Sequence, residues 1–162
     1  MMPCEEIQAL AKRLVETASQ KKALVSFAES CTGGLIGACV TDVAGASAVF
    51  PGSAVTYCNQ AKHNILGVDE SILATAGAVS SECAVQMALG SRRLYGSDLA
   101  VSVTGIAGPD GGTDEKPVGT VWFGFASASG SGSFVRHFSG GRRDVREATV
   151  KEALQFALEK LS

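Results

Sequence analysis

Residues 23–40 read ALVSFAESCTGGLIGACV, and this stretch decides the fold. Ala23 to Ala28 form an apolar run of strand length. Leu35, Ile36, Ala38, Cys39 and Val40 supply the apolar positions of a helix. Between them lie Glu29, Ser30, Cys31, Thr32 and the pair Gly33–Gly34. A buried strand that turns through polar residues and glycines into a helix is the building unit of a layered α/β domain.

The same alternation continues in both directions. On the N-terminal side, Ile7, Leu10, Ala11, Leu14, Val15 and Ala18 recur at helical spacing, which predicts a helix over about Pro3 to Lys21. On the C-terminal side, a second strand is expected around Gly52 to Tyr57 and a short helix over Asn59 to Leu66. Ser80 or Ser81 should cap a longer helix running through Val85, Met87, Ala88 and Leu94. Leu99 to Val103 reads as a third strand and opens into GIAGPDGGTDEKP at 105–117. Val118 to Ala126 and Ser133 to Phe138 read as a hairpin turning through SASGSGS at 127–133. A last helix from about Arg143 puts Val150, Leu154, Ala157, Leu158 and Leu161 on one face.

This order predicts a mostly parallel sheet between helices, with at least one antiparallel strand from the hairpin. Ligands of such sheets sit beyond the carboxyl ends of the parallel strands. Three polar turns follow expected strands: Glu29–Gly34, Tyr57–Lys62 and Thr104–Gly112. They should converge on one site.

Composition narrows the function. The 162 residues are the length of one domain, over 1–162, and the net charge is −2 with both signs interspersed. A general nucleic-acid binder would show a basic face. No window is apolar enough to span a bilayer, and the start, MMPCEEIQALAKRLVE, does not read as a secretory signal. The five cysteines, Cys4, Cys31, Cys39, Cys58 and Cys83, include no CxxC pair. Neither a disulfide framework nor a zinc site is expected, and reduced thiols in the cytoplasm are the simplest reading. No His, Cys, Asp and Glu cluster has metal-ligand spacing.

Ser30 would stand where a strand becomes a helix, with free N–H groups near Thr32, Gly33 and Gly34 to hold an oxyanion. The placement is like a nucleophile elbow without the G-x-S-x-G pattern. Ser30 or Thr32 could equally be a plain helix cap. Cys31 is the rival nucleophile, or a small buried hydrophobe. A serine nucleophile needs a base. His137 falls in the last strand, away from the three turns. Lys62 and His63 are consecutive, so helical geometry lets only one of them face the site. Lys62 serves if burial depresses its pKa, and is otherwise a solvated surface lysine. The 104–112 run is either a backbone wall for a flat ligand or phosphate, or simply a tight turn. Arg142, Arg143 and Arg146 cluster at the start of the last helix, either as a solvated first turn or as a site for an anion, to which the opposition of cations to the helix dipole leans. The lone Trp122 reads as core.

Taken together, the motifs resemble those of the CinA C-terminal domain family. They are AESCTGGLIGA at 28–38, TYCNQAKHNILGV at 56–68, GAVSSE at 77–82, SVTGIAGPDGGTDEKPVGTVWFGFA at 102–126 and FSGGRRDVR at 138–146. The resemblance covers essentially the whole chain in order. It implies a three-layer α/β/α fold with a five-stranded mixed sheet, mostly parallel, with one antiparallel strand. It further implies a cytoplasmic nicotinamide-nucleotide amidohydrolase, which would convert nicotinamide mononucleotide and water to nicotinate mononucleotide and ammonia in pyridine-nucleotide salvage. The implied mechanism is a Ser/Lys dyad of Ser30 and Lys62, without metal or cofactor. Tyr57 and Thr104 would assist the dyad or contact substrate. Thr32, Gly33, Gly34, Gly105 and Gly108 would meet the substrate through their backbones, and Arg142 would meet its phosphate. The expected partner is a small nucleotide, not nucleic acid or a membrane, and homo-oligomerisation is left open. Longer family members carry an N-terminal domain associated with nucleotide pyrophosphatase chemistry, which this sequence lacks, so that activity is not expected. The alternative function is a non-catalytic nucleotide-binding module serving a partner protein.

Overall fold

The computed structural model of the chain describes residues 3–162; Met1 and Met2 of the expected domain lie outside the described residues. Helix α1 spans Glu5–Lys21, strand β1 Val25–Glu29, helix α2 Leu35–Thr41, strand β2 Ser53–Val55 and helix α3 Asn59–Leu66. Then come α4 at Glu70–Ala74, α5 at Ser81–Tyr95, β3 at Leu99–Gly105, β4 at Thr120–Ser127, β5 at Gly130–His137 and α6 at Arg142–Leu161. The strands form one sheet in the order β2-β1-β3-β4-β5. β2, β1 and β3 pair in parallel, while β4 pairs antiparallel with both β3 and β5. β4 is therefore the single strand that runs against the other four, as the resemblance implied.

The strand sequences explain the layers. Val25 and Phe27 of β1, with Leu99, Val101 and Val103 of β3, turn their bulk to one face and join the buried residues of α1, α2 and α6. The opposite face carries small side chains, Ala28, Ala100 and Ser102, and α5 lies on it closely. Three polar contacts hold this approach: Ser102 Oγ donates to the Ala84 carbonyl, and Ser26 Oγ meets both Ser91 and Ser97. Gly124 of β4 completes the surface, since a Cβ there would overlap the Ala84 carbonyl. Gly124→Ala should therefore lower the unfolding free energy by about 1–3 kcal/mol through overpacking. A shift of the urea midpoint at unchanged slope would measure it.

Some expectations need correction. The Ser/Gly run at 127–133 is not a loop. Its turn is only Ala128–Ser129, because β4 extends to Ser127 and pairs with Gly130. Cross-strand pairing overrides the composition, and Ser133 Oγ lies 2.6 Å from Ser81 Oγ of α5. The sequence reading missed α4 and the 3₁₀ turn Ala46–Ala48, both too short to show a period. Trp122 is half-buried rather than in the core clusters. Ser80 is the cap of α5, and its side chain accepts from the Cys83 amide. Among the described residues, no helix is long and apolar enough to cross a membrane.

Candidate active site

The carboxyl ends of β1 and β3 open into a cleft of about 310 Å³. All three polar turns reach it: Ser30 and Cys31 from the first, Tyr57, Asn59 and Lys62 from the second, Thr104 to Gly108 from the third. Arg142, from the first turn of α6, and Ala78 and Val79, before α5, close its sides.

Lys62 lies on α3 and is only 1% exposed. Its Nζ stands 2.9 Å from Ser30 Oγ, 2.7 Å from the Thr56 carbonyl and 3.3 Å from the Tyr57 carbonyl. No carboxylate is among these partners. Burial holds the lysine pKa below its ordinary value of 10.5, against an opposing pull from the Cys83, Cys58 and Cys31 thiols. All three partners are oxygens that accept from Lys62 Nζ; a neutral amine would bond the two carbonyls and keep its lone pair for the Ser30 hydroxyl proton.

His63, the adjacent candidate, takes another direction. Its Nδ1 lies 2.8 Å from the Val68 carbonyl and its Nε2 3.7 Å from Glu70, and it does not line the cleft. His137 ends β5, the edge strand, and is also absent from the cleft wall. Cys31 does line the cleft, but burial pushes its thiol up to about 11, so it stays protonated at neutral pH.

The turn that presents Ser30 is held from two sides. Glu29, fully buried at the end of β1, is an acceptor for five donors: Thr32 Oγ1, Ser53 Oγ and the amides of Gly34, Ile36 and Gly37. Gly33 and Gly34 have φ of 60° and 98°, which carries the chain from strand to helix in so few residues. One expectation fails here. The Gly33 amide donates to the Ser30 carbonyl and the Gly34 amide to Glu29, so neither is free for an oxyanion. Thr32 is fully buried with its hydroxyl on Glu29, and Thr32, Gly33 and Gly34 do not line the cleft.

The other expected residues are brought together. Thr104 Oγ1 donates 2.9 Å to the Ala78 carbonyl, which leaves its lone pairs as acceptors in the cleft. Gly105 and Gly108 line the wall. Tyr57 is exposed, and its hydroxyl accepts from Arg142 Nη2 at 3.0 Å, while Arg142 Nη1 donates to the Gly108 carbonyl at 2.8 Å. The arginine cluster separates: Arg142 faces the cleft, Arg143 does not line it, and Arg146 turns to the Ser30 loop. The sequence reading did not single out Glu29, Asn59, Ala78, Val79 or Asp110. The only signal for Glu29 was a charge closing an otherwise apolar strand. Among the described residues, no three His, Cys, Asp or Glu side chains come together as a metal site would need.

Comparison with known proteins adds the context. Residues 7–161 match the family described as the CinA C-terminal domain. The chain is 48% identical over 155 residues to nicotinamide-nucleotide amidohydrolase PncC of Escherichia coli K12, covering 95% of this chain and 94% of that protein. It is 55% identical over 137 residues to PncC of Enterobacter agglomerans, covering 84% of each. The crystal structure of competence/damage inducible protein CihA from Agrobacterium tumefaciens superposes with a TM-score of 0.94 at 43% identity, over 99% of this chain and 98% of that one.

Proposed function

Because the chain belongs to the CinA C-terminal domain family, we propose that it hydrolyses the carboxamide of nicotinamide mononucleotide, giving nicotinate mononucleotide and ammonia in the cytoplasm. The observation that carries the mechanism is the buried contact of Lys62 Nζ with Ser30 Oγ at 2.9 Å.

In this reading neutral Lys62 takes the Ser30 proton as Oγ attacks the carboxamide carbon. The resulting ammonium gives that proton to the departing nitrogen, the C–N bond breaks, and ammonia leaves an ester on Ser30. Water then attacks the ester with Lys62 again as base, the bond from the acyl carbon to Ser30 Oγ breaks, the lysine ammonium returns its proton to Oγ, and nicotinate mononucleotide is released. Thr104, whose hydroxyl proton is committed to Ala78, offers its lone pairs to the amide N–H groups of the substrate. The oxyanion takes its donor from the amide of Cys31, which lines the cleft and has no backbone acceptor among the described residues. No step calls for a metal or cofactor. Ammonia release from nicotinamide mononucleotide by the purified protein, in the presence of a chelator, tests the reading. Binding of the nucleotide without ammonia release would instead favour a non-catalytic binding module.

The phosphate is assigned to Arg142. Its guanidinium is held at the cleft mouth by Gly108 and Tyr57, with donors to spare for an anion. A charge-assisted contact of this kind contributes about 1.5–3 kcal/mol. Nicotinamide riboside should therefore show kcat/KM lower than the nucleotide by about 10- to 100-fold. Arg142→Ala should remove most of that difference, chiefly through KM. Equal kcat/KM for the two substrates in the unaltered protein would withdraw the phosphate from this position.

A further inference from the structure

We infer that Arg146 is a positioning residue for the nucleophile, and not a ligand for the substrate anion; the inference rests on the Ser30 reading above. Arg146 projects from α6 and spans 115 residues of sequence to reach the Ser30 turn. Its Nε donates to the Cys31 carbonyl and its Nη2 to the Thr32 carbonyl, each at 3.0 Å. Two donors on one edge of a planar cation thus hold two successive peptide units. It does not line the cleft.

The opposite side of the turn is held by Glu29, which accepts the Gly34 amide and the Thr32 hydroxyl. The carboxylate collects donors and the guanidinium collects carbonyls, so the two charges fix the turn as an oriented set of dipoles. The consequence for chemistry follows from the trans peptide unit, in which C=O and N–H point in opposite directions. With the Cys31 carbonyl directed at Arg146, the Thr32 N–H is directed away from it. That amide has no acceptor among the described residues. A cation on the carbonyl of a peptide unit strengthens its N–H as a donor. Arg146 therefore fixes the turn that presents Ser30 to Lys62 and polarises the peptide unit that follows Cys31. Both effects act on the transition state more than on the bound substrate.

The test separates positioning from anion binding by splitting kcat from KM. Arg146→Ala should lower kcat on nicotinamide mononucleotide by about 100-fold, the scale of a misplaced catalytic group. Its KM should stay within about threefold, the signature of an interaction made mainly in the transition state. Added guanidinium ion, kept well below denaturing concentration, should restore part of kcat. Arg146→Lys keeps the charge but has no fork, so it should recover only a minor part of the rate. It also serves if the alanine variant does not fold. A raised KM with intact kcat would make Arg146 an anion contact and overturn the inference, as would unchanged kinetics. Phosphonylation of Ser30 by a fluorophosphonate, read by intact mass, follows the nucleophile without reference to the substrate. Labelling should slow in parallel with kcat in Arg146→Ala. If the unaltered protein is labelled but releases no ammonia, the substrate reading fails and the labelling rates alone decide on Arg146. If it is neither labelled nor active, both fail.

Discussion

Ser30→Ala should reduce deamidation of nicotinamide mononucleotide by about four to six orders of magnitude, the range seen when a nucleophile is removed from a serine hydrolase. The substitution takes away one oxygen from a residue that is only 7% exposed. The Ser30 amide keeps its bond to the Val103 carbonyl, and its carbonyl keeps the Gly33 amide. The fold should therefore persist, and nucleotide binding with it. The companion result concerns Cys31, one residue away and lining the same cleft. Its thiol, pushed up to about 11 by burial, supplies almost no thiolate at neutral pH. Cys31→Ala should keep kcat within about fivefold and lose stability through the small cavity it leaves. Ammonia release by the two variants, side by side, checks the assignment. An inactive cysteine variant beside an active serine variant would transfer the nucleophile to Cys31.

The sequence made the architecture legible because its signals were local. The ALVSFA strand, the Gly33–Gly34 turn and the amphipathic stripe of the first helix each depend on nearby residues. The convergence of three turns followed from topology, since β1, β2 and β3 are parallel and their carboxyl ends share one sheet edge. Other features depend on long-range contacts and could not be read. The Ser/Gly run became strand because β4 offered a partner. The amides of Gly33 and Gly34 looked free from sequence, and were not, because Glu29 folds back over them and Ser30 turns its carbonyl to Gly33. The arginine cluster read as one anion site. On α6 the side chains of Arg142 and Arg146 diverge, one to the cleft mouth and one to the Ser30 turn. Helical spacing alone cannot show that a carbonyl pair 114 and 115 residues away is waiting for one of them. The choice between Lys62 and His63 was open for the same reason. It turned on which face of α3 meets the Ser30 turn, and the structure directs Lys62 inward and His63 to the Val68 carbonyl.

Lys62→Met should lower kcat/KM by at least about a thousandfold, within the range expected when an essential base is lost, and pH should reveal why. The active form in the proposed mechanism is the neutral amine. kcat/KM of the unaltered protein should therefore rise with pH and level off above the folded-state pKa of Lys62, which burial places below 10.5. Stability should follow the same group. A lysine whose pKa is depressed by folding binds fewer protons in the native than in the unfolded chain. Its contribution is fully present above the unfolded pKa and is lost as pH falls through the folded one. Between those two values, the unaltered protein should gain stability with rising pH relative to Lys62→Met, which has no proton to lose there. Parallel melting curves across the alkaline range would measure the difference. A flat difference would mean that Lys62 is not held neutral by the fold. Lys62→Arg separates base from charge. A guanidinium stays protonated and cannot accept the Ser30 proton, so this variant should be as inactive as the methionine one. If the arginine variant works, the cation alone is what the site uses. The proton of Ser30 would then need another acceptor, and His63, turned to Val68 and Glu70, would have to rotate to become one.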